Sequence, residues 1–148
     1  MESNEILSYV TASADSTAGM VANIQIGDQK IVIDESGMAE GLKLSPDPYD
    51  YIMCALGACT VITLHMYAQR KHWPLERAEV RLNHERVYMQ DCLTCEDDNK
   101  SKVSHITKKL KLVGDLSSEQ RKRLEIISSR CPVQRTLSGG INILTLMD

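Results

Sequence analysis

Residues 46–70 read PDPYDYIMCALGACTVITLHMYAQR, and this stretch decides how the chain folds. Pro48 suits the first turn of a helix, where its missing N–H leaves no bond unmade. Asp47 is placed to cap that helix, and Asp50 complements its positive end. Apolar residues then recur at Met53, Leu56, Ala58, Ile62, Leu64 and Met66, as far as about Arg70. They leave almost no polar face, so Tyr49–Arg70 is expected to be a central, buried helix that contacts a partner chain. Pro74 disfavours helical geometry at Trp73 and ends the segment. Ala55, Gly57, Ala58 and Thr60 surround Cys59 with small side chains. Such neighbours let another element approach the backbone and leave room at the thiol.

On the N-terminal side, Ile6–Val10, Met20–Ile26 and Lys30–Ile33 are short runs rich in Ile and Val. Val21, Asn23 and Gln25 alternate with Ala22, Ile24 and Ile26, the period of a half-buried strand. Gly27-Asp28 is a plausible tight turn. The opening third is therefore expected to be an antiparallel meander, joined to the helix by a Gly- and Pro-containing loop, Glu35–Pro48. On the C-terminal side, Ala78–Tyr88 and Val103–Val113 are expected strands. Ser117 or Ser118 caps a second helix, Glu119–Arg130, which Cys131-Pro132 ends. Ile141–Leu146 is an expected final strand. The order is strands, helix, two strands, helix, strand: an α+β fold with a mainly antiparallel sheet.

At 148 residues the chain is expected to be a single domain, residues 1–148, able to fold without disulfide staples. Apolar residues make up 43%, yet Phe is absent, so the core rests on Leu, Ile, Val and Met. The net charge of −3, from 17 basic and 20 acidic residues, gives no broad electrostatic footprint for nucleic acid. Basic residues cluster at Lys100–Lys111 and Arg121–Arg135, where interspersed acids favour solvated faces. No basic segment followed by an apolar one opens the chain, and Thr60, Thr63 and His65 interrupt the longest apolar stretch. No membrane span and a cytoplasmic location are the expectations. In that compartment five cysteines read as thiols, metal ligands or redox centres.

Cys59 in an apolar helix is either a small buried hydrophobe or a shielded nucleophile. Cys131 lies in SRCPVQRTL, residues 129–137, where Arg130 and Arg135 favour a thiolate. Spacing alone does not show that the two cysteines meet. Cys92 and Cys95 form a C-x-x-C in a polar, acidic loop. That pattern fits a redox pair, half of a zinc site with His84 and His105 as the nearest further ligand candidates, or incidental thiols. His65, nearly two turns beyond Cys59, reads as a packing histidine. No phosphate-binding glycine loop, serine nucleophile motif or H-E-x-x-H is present.

Taken together, these motifs resemble the OsmC/Ohr superfamily. The 46–60 stretch is similar to its first-helix signature, and HMYAQRKHWPL, residues 65–75, continues it. GDLSSEQR, residues 114–121, and RCPVQRTL, residues 130–137, are similar to the second helix and its end. The likeness runs from about Gln29 onward. It implies an intertwined homodimer, two central helices wrapped by mainly antiparallel sheet, and organic-hydroperoxide reduction by a two-cysteine cycle. Cys59 falls on the peroxidatic cysteine and Cys131 on the resolving cysteine, with an external dithiol as reductant and no metal, flavin or haem. The family's early-strand Arg is replaced by Lys30, which keeps the charge but loses the forked donor set. Its first-helix Glu is replaced by the shorter Asp50, placed to hold that cation by a charge-assisted bond. Two other readings compete. One is a noncatalytic module that binds a small molecule or lipid in the same apolar pocket. The other is a redox or metal sensor built on Cys92 and Cys95.

Overall fold

A computed structural model describes residues 9–17, 19–88 and 102–148. Cys92 and Cys95 lie outside the described residues. The chain falls into two compact units, one running to Tyr51 and the other from Ile52 to Asp148.

The first unit is a three-stranded antiparallel sheet in the order β1 (Val10–Ser13), β2 (Val21–Ile26), β3 (Gln29–Asp34). Ile26 pairs with Gln29, which leaves Gly27-Asp28 as the two-residue turn expected from the sequence. Gly27 sits at φ 55, a left-handed value that glycine adopts without steric cost. β1 lies later than the run of apolar side chains suggests. Residues 6–8 are outside the described set, and Val10–Ser13 pair with Ile26–Asn23 through the backbone while exposing every side chain. Side-chain polarity therefore carries no information about this strand. In the loop that follows the sheet, the Lys43 ammonium reaches the carboxylates of Asp47 (3.4 Å) and Asp50 (2.6 Å).

Helix α1 (Pro48–Arg70) starts where Pro48 places it. The Asp47 N–H donates to the Asp50 carboxylate (2.8 Å) and the Asp50 N–H donates back to Asp47 (2.9 Å). This reciprocal arrangement satisfies donors that a helix start leaves orphaned.

The second unit contains the body of α1 and two long antiparallel strands, β4 (Leu75–Tyr88) and β5 (Lys102–Gly114). Two further helices follow, α2 (Ser118–Ser128) and α3 (Pro132–Gly139). α1 buries the stripe Leu56, Gly57, Thr60, Leu64, Tyr67 and Ala68. At Gly57 it approaches β4 closely: a Cβ there would stand 3.0 Å from Leu82 Cδ1 and 3.6 Å from Val80 Cγ1. Of the small residues around Cys59, Gly57 and Thr60 are buried, whereas Ala55 and Ala58 are exposed. Leu64, Tyr67, Leu124 and Ile127 form the core, flanked by Trp73, Leu75, Ala78, Leu110, Leu112 and Leu116. Full burial of Leu64 and Leu124 is worth about 1.5–3 kcal/mol each.

Within a single chain α1 is buried along one stripe, and Ile62 and Met66 on its other side are 58% and 65% exposed. Other expectations are corrected. By length and composition alone α1 would also pass as a membrane span, with a mean hydropathy of 1.5, despite the polar residues that interrupt it. Its packed stripe is that of a core helix. β4 begins at Leu75 rather than Ala78, because a register irregularity between Leu75 and Arg77 carries pairing back to Gly114. Gly114, at φ 147, is required there: a Cβ would collide with the Pro74 carbonyl oxygen. Cys131-Pro132 does not merely stop α2. Cys131 caps a new helix, α3, with Pro132 in its first turn. Ile141–Leu146 is not a strand. It forms no regular structure, and Ile143 and Leu146 are about 80% exposed. Alternation supplies a strand's faces, but a strand also needs an edge to pair with.

Candidate active site

The site is built in the second unit where α1, β5 and the α2–α3 junction meet. β5 places Lys108 directly across from Leu82, on the sheet face that α1 covers. The Lys108 ammonium donates to the Thr60 hydroxyl (3.1 Å) and to the Ser128 carbonyl at the end of α2 (2.9 Å). Thr60 is fully buried. Its hydroxyl lies 2.7 Å from the Leu56 carbonyl and 3.8 Å from Cys131 Sγ. A hydroxyl has one proton, so with Lys108 occupying a lone pair it donates to the carbonyl or to the sulfur.

Cys131 is also fully buried, and its sulfur accepts the Gln134 N–H (3.3 Å) at the start of α3. Cys59 is half-buried, next to Thr60 on α1. Burial pushes the Lys108 ammonium below the usual lysine range, and the negative charge available at Cys131 and then at Cys59 opposes that shift. Among the described residues Lys108 forms no ion pair with a carboxylate. Its potential counter-charges are the two sulfurs. A half-buried cation is costly to keep unless such partners offset its lost hydration.

The residues singled out in the sequence fall in different places. Cys131 Sγ lies 3.8 Å from the Thr60 hydroxyl that Lys108 donates to, and Cys59 precedes Thr60 on α1. Asp50 is taken by Lys43 rather than by Lys30. That contact and the Asp47 N–H hold its carboxyl below the usual range. Lys30 lies on β3 opposite Gln25, beside a hollow of about 340 Å³ in the first unit. Arg130 and Arg135 are exposed. Cys54 is exposed, and among the described residues no three of His, Cys, Asp and Glu cluster as a metal site would require.

Lys108 and Ser128 are not among the residues the sequence singles out, and Thr60 stands out there only as a small, polar neighbour of Cys59. The available signal is period two: Ile106, Leu110 and Leu112 share one face of β5, and Lys108 interrupts them. A second cavity of about 570 Å³ lies between α1 and α2, with Met66, Ile127 and Pro132 as apolar wall and Arg70, Arg123 and Arg130 as charge. At its edge Tyr67 packs edge-on against Trp73 (5.5 Å between centroids). Its phenol oxygen accepts from Arg123 Nε (3.0 Å), which draws the phenol's titration downward.

Solved structures share this architecture. An OsmC-like protein from Mycoplasma pneumoniae superposes with a TM-score of 0.66 at 17% identity, covering 88% of this chain and 86% of the other. The organic hydroperoxide resistance protein OsmC of Legionella pneumophila gives 0.64 at 14% identity, covering 88% of each chain. The organic hydroperoxide resistance protein OhrB of Bacillus subtilis gives 0.59 at 16% identity, covering 86% of this chain and 87% of the other. At these identities the likeness establishes the α+β fold. A search of curated protein sequences finds no match. The sequence model of the OsmC-like protein family matches residues 40–145, which include α1, both long strands, Cys59, Lys108 and Cys131, so the chain belongs to the OsmC-like family.

Proposed function

We propose that this protein reduces organic hydroperoxides by a two-cysteine cycle, with Cys59 as the attacking thiolate and Cys131 as the resolving thiol. One observation carries the reading. The buried Cys131 sulfur lies 3.8 Å from the hydroxyl of Thr60, the residue that follows Cys59 on α1, and the half-buried Lys108 ammonium donates to that same hydroxyl. Family membership and the hydroperoxide-resistance names of two structural relatives support it.

In the first step Cys59 sulfur attacks the peroxide O–O bond. An S–O bond forms, the O–O bond breaks, and the alkoxide leaves with a proton as the alcohol. In the second, Cys131 sulfur attacks the Cys59 sulfenic sulfur, and the hydroxyl leaves as water with the Cys131 thiol proton. An external dithiol then returns two electrons to the disulfide. The resemblance assigns Lys30 as the cation at Cys59 and Asp50 as its orienting carboxylate. Asp50 is already engaged by Lys43, so its part in this scheme is to hold the first turn of α1. Lys30→Ala tests its own role, and slower first oxidation is expected.

The scheme takes a cytoplasmic homodimer as its working unit. The exposed apolar residues Ile62 and Met66 on α1, and Ile141, Ile143, Leu144 and Leu146 beyond α3, support a partner chain. Light scattering at micromolar concentration tests the assembly, and a monomer there would remove this part of the proposal.

The test of the chemistry is organic-hydroperoxide consumption coupled to a dithiol. Cys59→Ser is expected to abolish turnover. Cys131→Ser is expected to permit the first oxidation and leave a trappable Cys59 sulfenic acid. Wild-type consumption by Cys59→Ser would overturn the scheme. The mixed apolar and arginine-lined cavity between α1 and α2 favours one other reading, a noncatalytic binder of an amphiphilic anion. Tight binding of such a ligand without any peroxide-dependent disulfide would establish that reading.

A further inference from the structure

Lys108 is a half-buried ammonium whose hydrogen-bond partners are one hydroxyl and one carbonyl, both neutral. Neither neutralises its charge. A lysine serving only to fill space between α1 and β5 would be better replaced by an apolar residue of the same length, since a desolvated cation costs more than packing returns. Its hydrogen bond to the Thr60 hydroxyl, which lies 3.8 Å from Cys131 Sγ, gives the charge a use.

Resting on the two-cysteine reading, we propose that Lys108 is a positioning residue for the resolving step, acting on Cys131 through the Thr60 hydroxyl. Lys108 occupies a lone pair of Thr60 Oγ1 and thereby fixes the rotor. The single hydroxyl proton then has two destinations, the Leu56 carbonyl at 2.7 Å and Cys131 Sγ at 3.8 Å. While Cys131 is a neutral thiol, the carbonyl is the better acceptor. When its proton departs, the sulfur anion draws the hydroxyl proton, because hydrogen bonds to a charged acceptor are the stronger ones. The Gln134 N–H supplies a second donor to the same sulfur. The relay thus answers negative charge at the moment Cys131 acquires it.

The groups that face Lys108 are few. Cys59 comes from α1 and Cys131 from the start of α3. From α2, Arg121, Lys122 and Glu125 line the cavity of about 490 Å³ that borders Lys108 on its other side. From β4, Leu82 stands opposite it, and His84 follows two residues on along the same face.

The experiment avoids peroxide. In a protein carrying Cys54→Ser, Cys92→Ser and Cys95→Ser, Cys59 is converted to a mixed disulfide by an aromatic disulfide that releases a coloured thiolate. Attack by Cys131 on Cys59 sulfur expels a second equivalent, whose rate is followed against pH. Lys108→Met is expected to slow this second release at least tenfold near neutral pH and to move its half-maximal pH upward by about one unit or more. Lys108→Arg is expected to recover most of the rate, because it keeps the charge. Thr60→Val, nearly isosteric, is expected to slow the release in the same direction, and it decides the matter if Lys108→Met does not fold. A folded Lys108→Met or Thr60→Val protein with unchanged rate and pH profile would overturn the proposal. Failure of the two-cysteine reading looks different: Cys59→Ser would keep consuming peroxide, whatever the second release shows.

Discussion

Gly57 is the point where the helix bearing Cys59 rests on the sheet bearing Lys108, and its substitution has a calculable outcome. In an open helix, Gly→Ala gains about 1 kcal/mol from backbone entropy and propensity. Here the new Cβ stands 3.0 Å from Leu82 Cδ1. Carbon atoms prefer about 3.5–4.0 Å, so Leu82 must retreat by roughly half an ångström. Leu82 is only half-buried and can turn, at a cost of about 0.5–1.5 kcal/mol for an off-rotamer side chain. The two terms nearly cancel, so Gly57→Ala is expected to lie within about 0.5 kcal/mol of the parent. With Leu82→Ala already present the obstruction is gone, and the same substitution should stabilise by about 1 kcal/mol. Urea unfolding of the four proteins at one protein concentration closes the cycle, with a coupling of about 0.5–1.5 kcal/mol expected. Equal stabilisation of about 1 kcal/mol in both backgrounds would refute the close approach. The small residues around Cys59 would then have no packing role against β4.

Three further outcomes are expected. Leu124→Ala opens a cavity at a fully buried position between α1, α2 and the sheet and should cost about 2–5 kcal/mol in urea unfolding. Asp50 has its folded carboxyl held low by Lys43 and the Asp47 N–H, so its contribution to stability is present above the ordinary carboxylate range, about pH 4, and is lost as pH falls through the folded value. Asp50→Asn should flatten the acid limb of the unfolding midpoint against pH. Replacing Cys92 and Cys95 together with Ser should leave the initial peroxide rate within about twofold, and a loss of ten-fold or more would move the redox centre to that pair.

α1 is legible because its start is encoded twice, by Pro48 and by the carboxylates of Asp47 and Asp50; it ends at Arg70, earlier than Pro74 requires, where His72 at φ 56 turns the chain out of the helix. The start of α2 is legible as Ser117 or Ser118, and the capping box that Ser117 forms with Gln120 decides between them. Cys59 and Cys131 stand out by their surroundings, although only the resemblance pairs them. Lys108 is hidden by its neighbours. A lysine within a basic run that includes Lys109 and Lys111 reads as solvated surface unless the strand's inward face is counted residue by residue. Lys43 is hidden for another reason: no local period marks a loop residue's ionic partner. α3 escapes because a Cys-Pro pair reads as a stop, whereas Pro at a first helical position equally marks a start. Ile141–Leu146 shows the limit of alternation, which encodes the faces of a strand but not the presence of an edge to receive it.

The most direct measurement is peptide mapping by mass spectrometry of the reduced protein after a single equivalent of an organic hydroperoxide, with free thiols blocked on quenching. The expected product is an intramolecular disulfide joining the peptides that carry Cys59 and Cys131, absent before peroxide and reversed by a dithiol. Recovery of both cysteines as blocked thiols while peroxide is consumed, or a disulfide between Cys92 and Cys95 in their place, would contradict the assignment of the chemistry to Cys59 and Cys131.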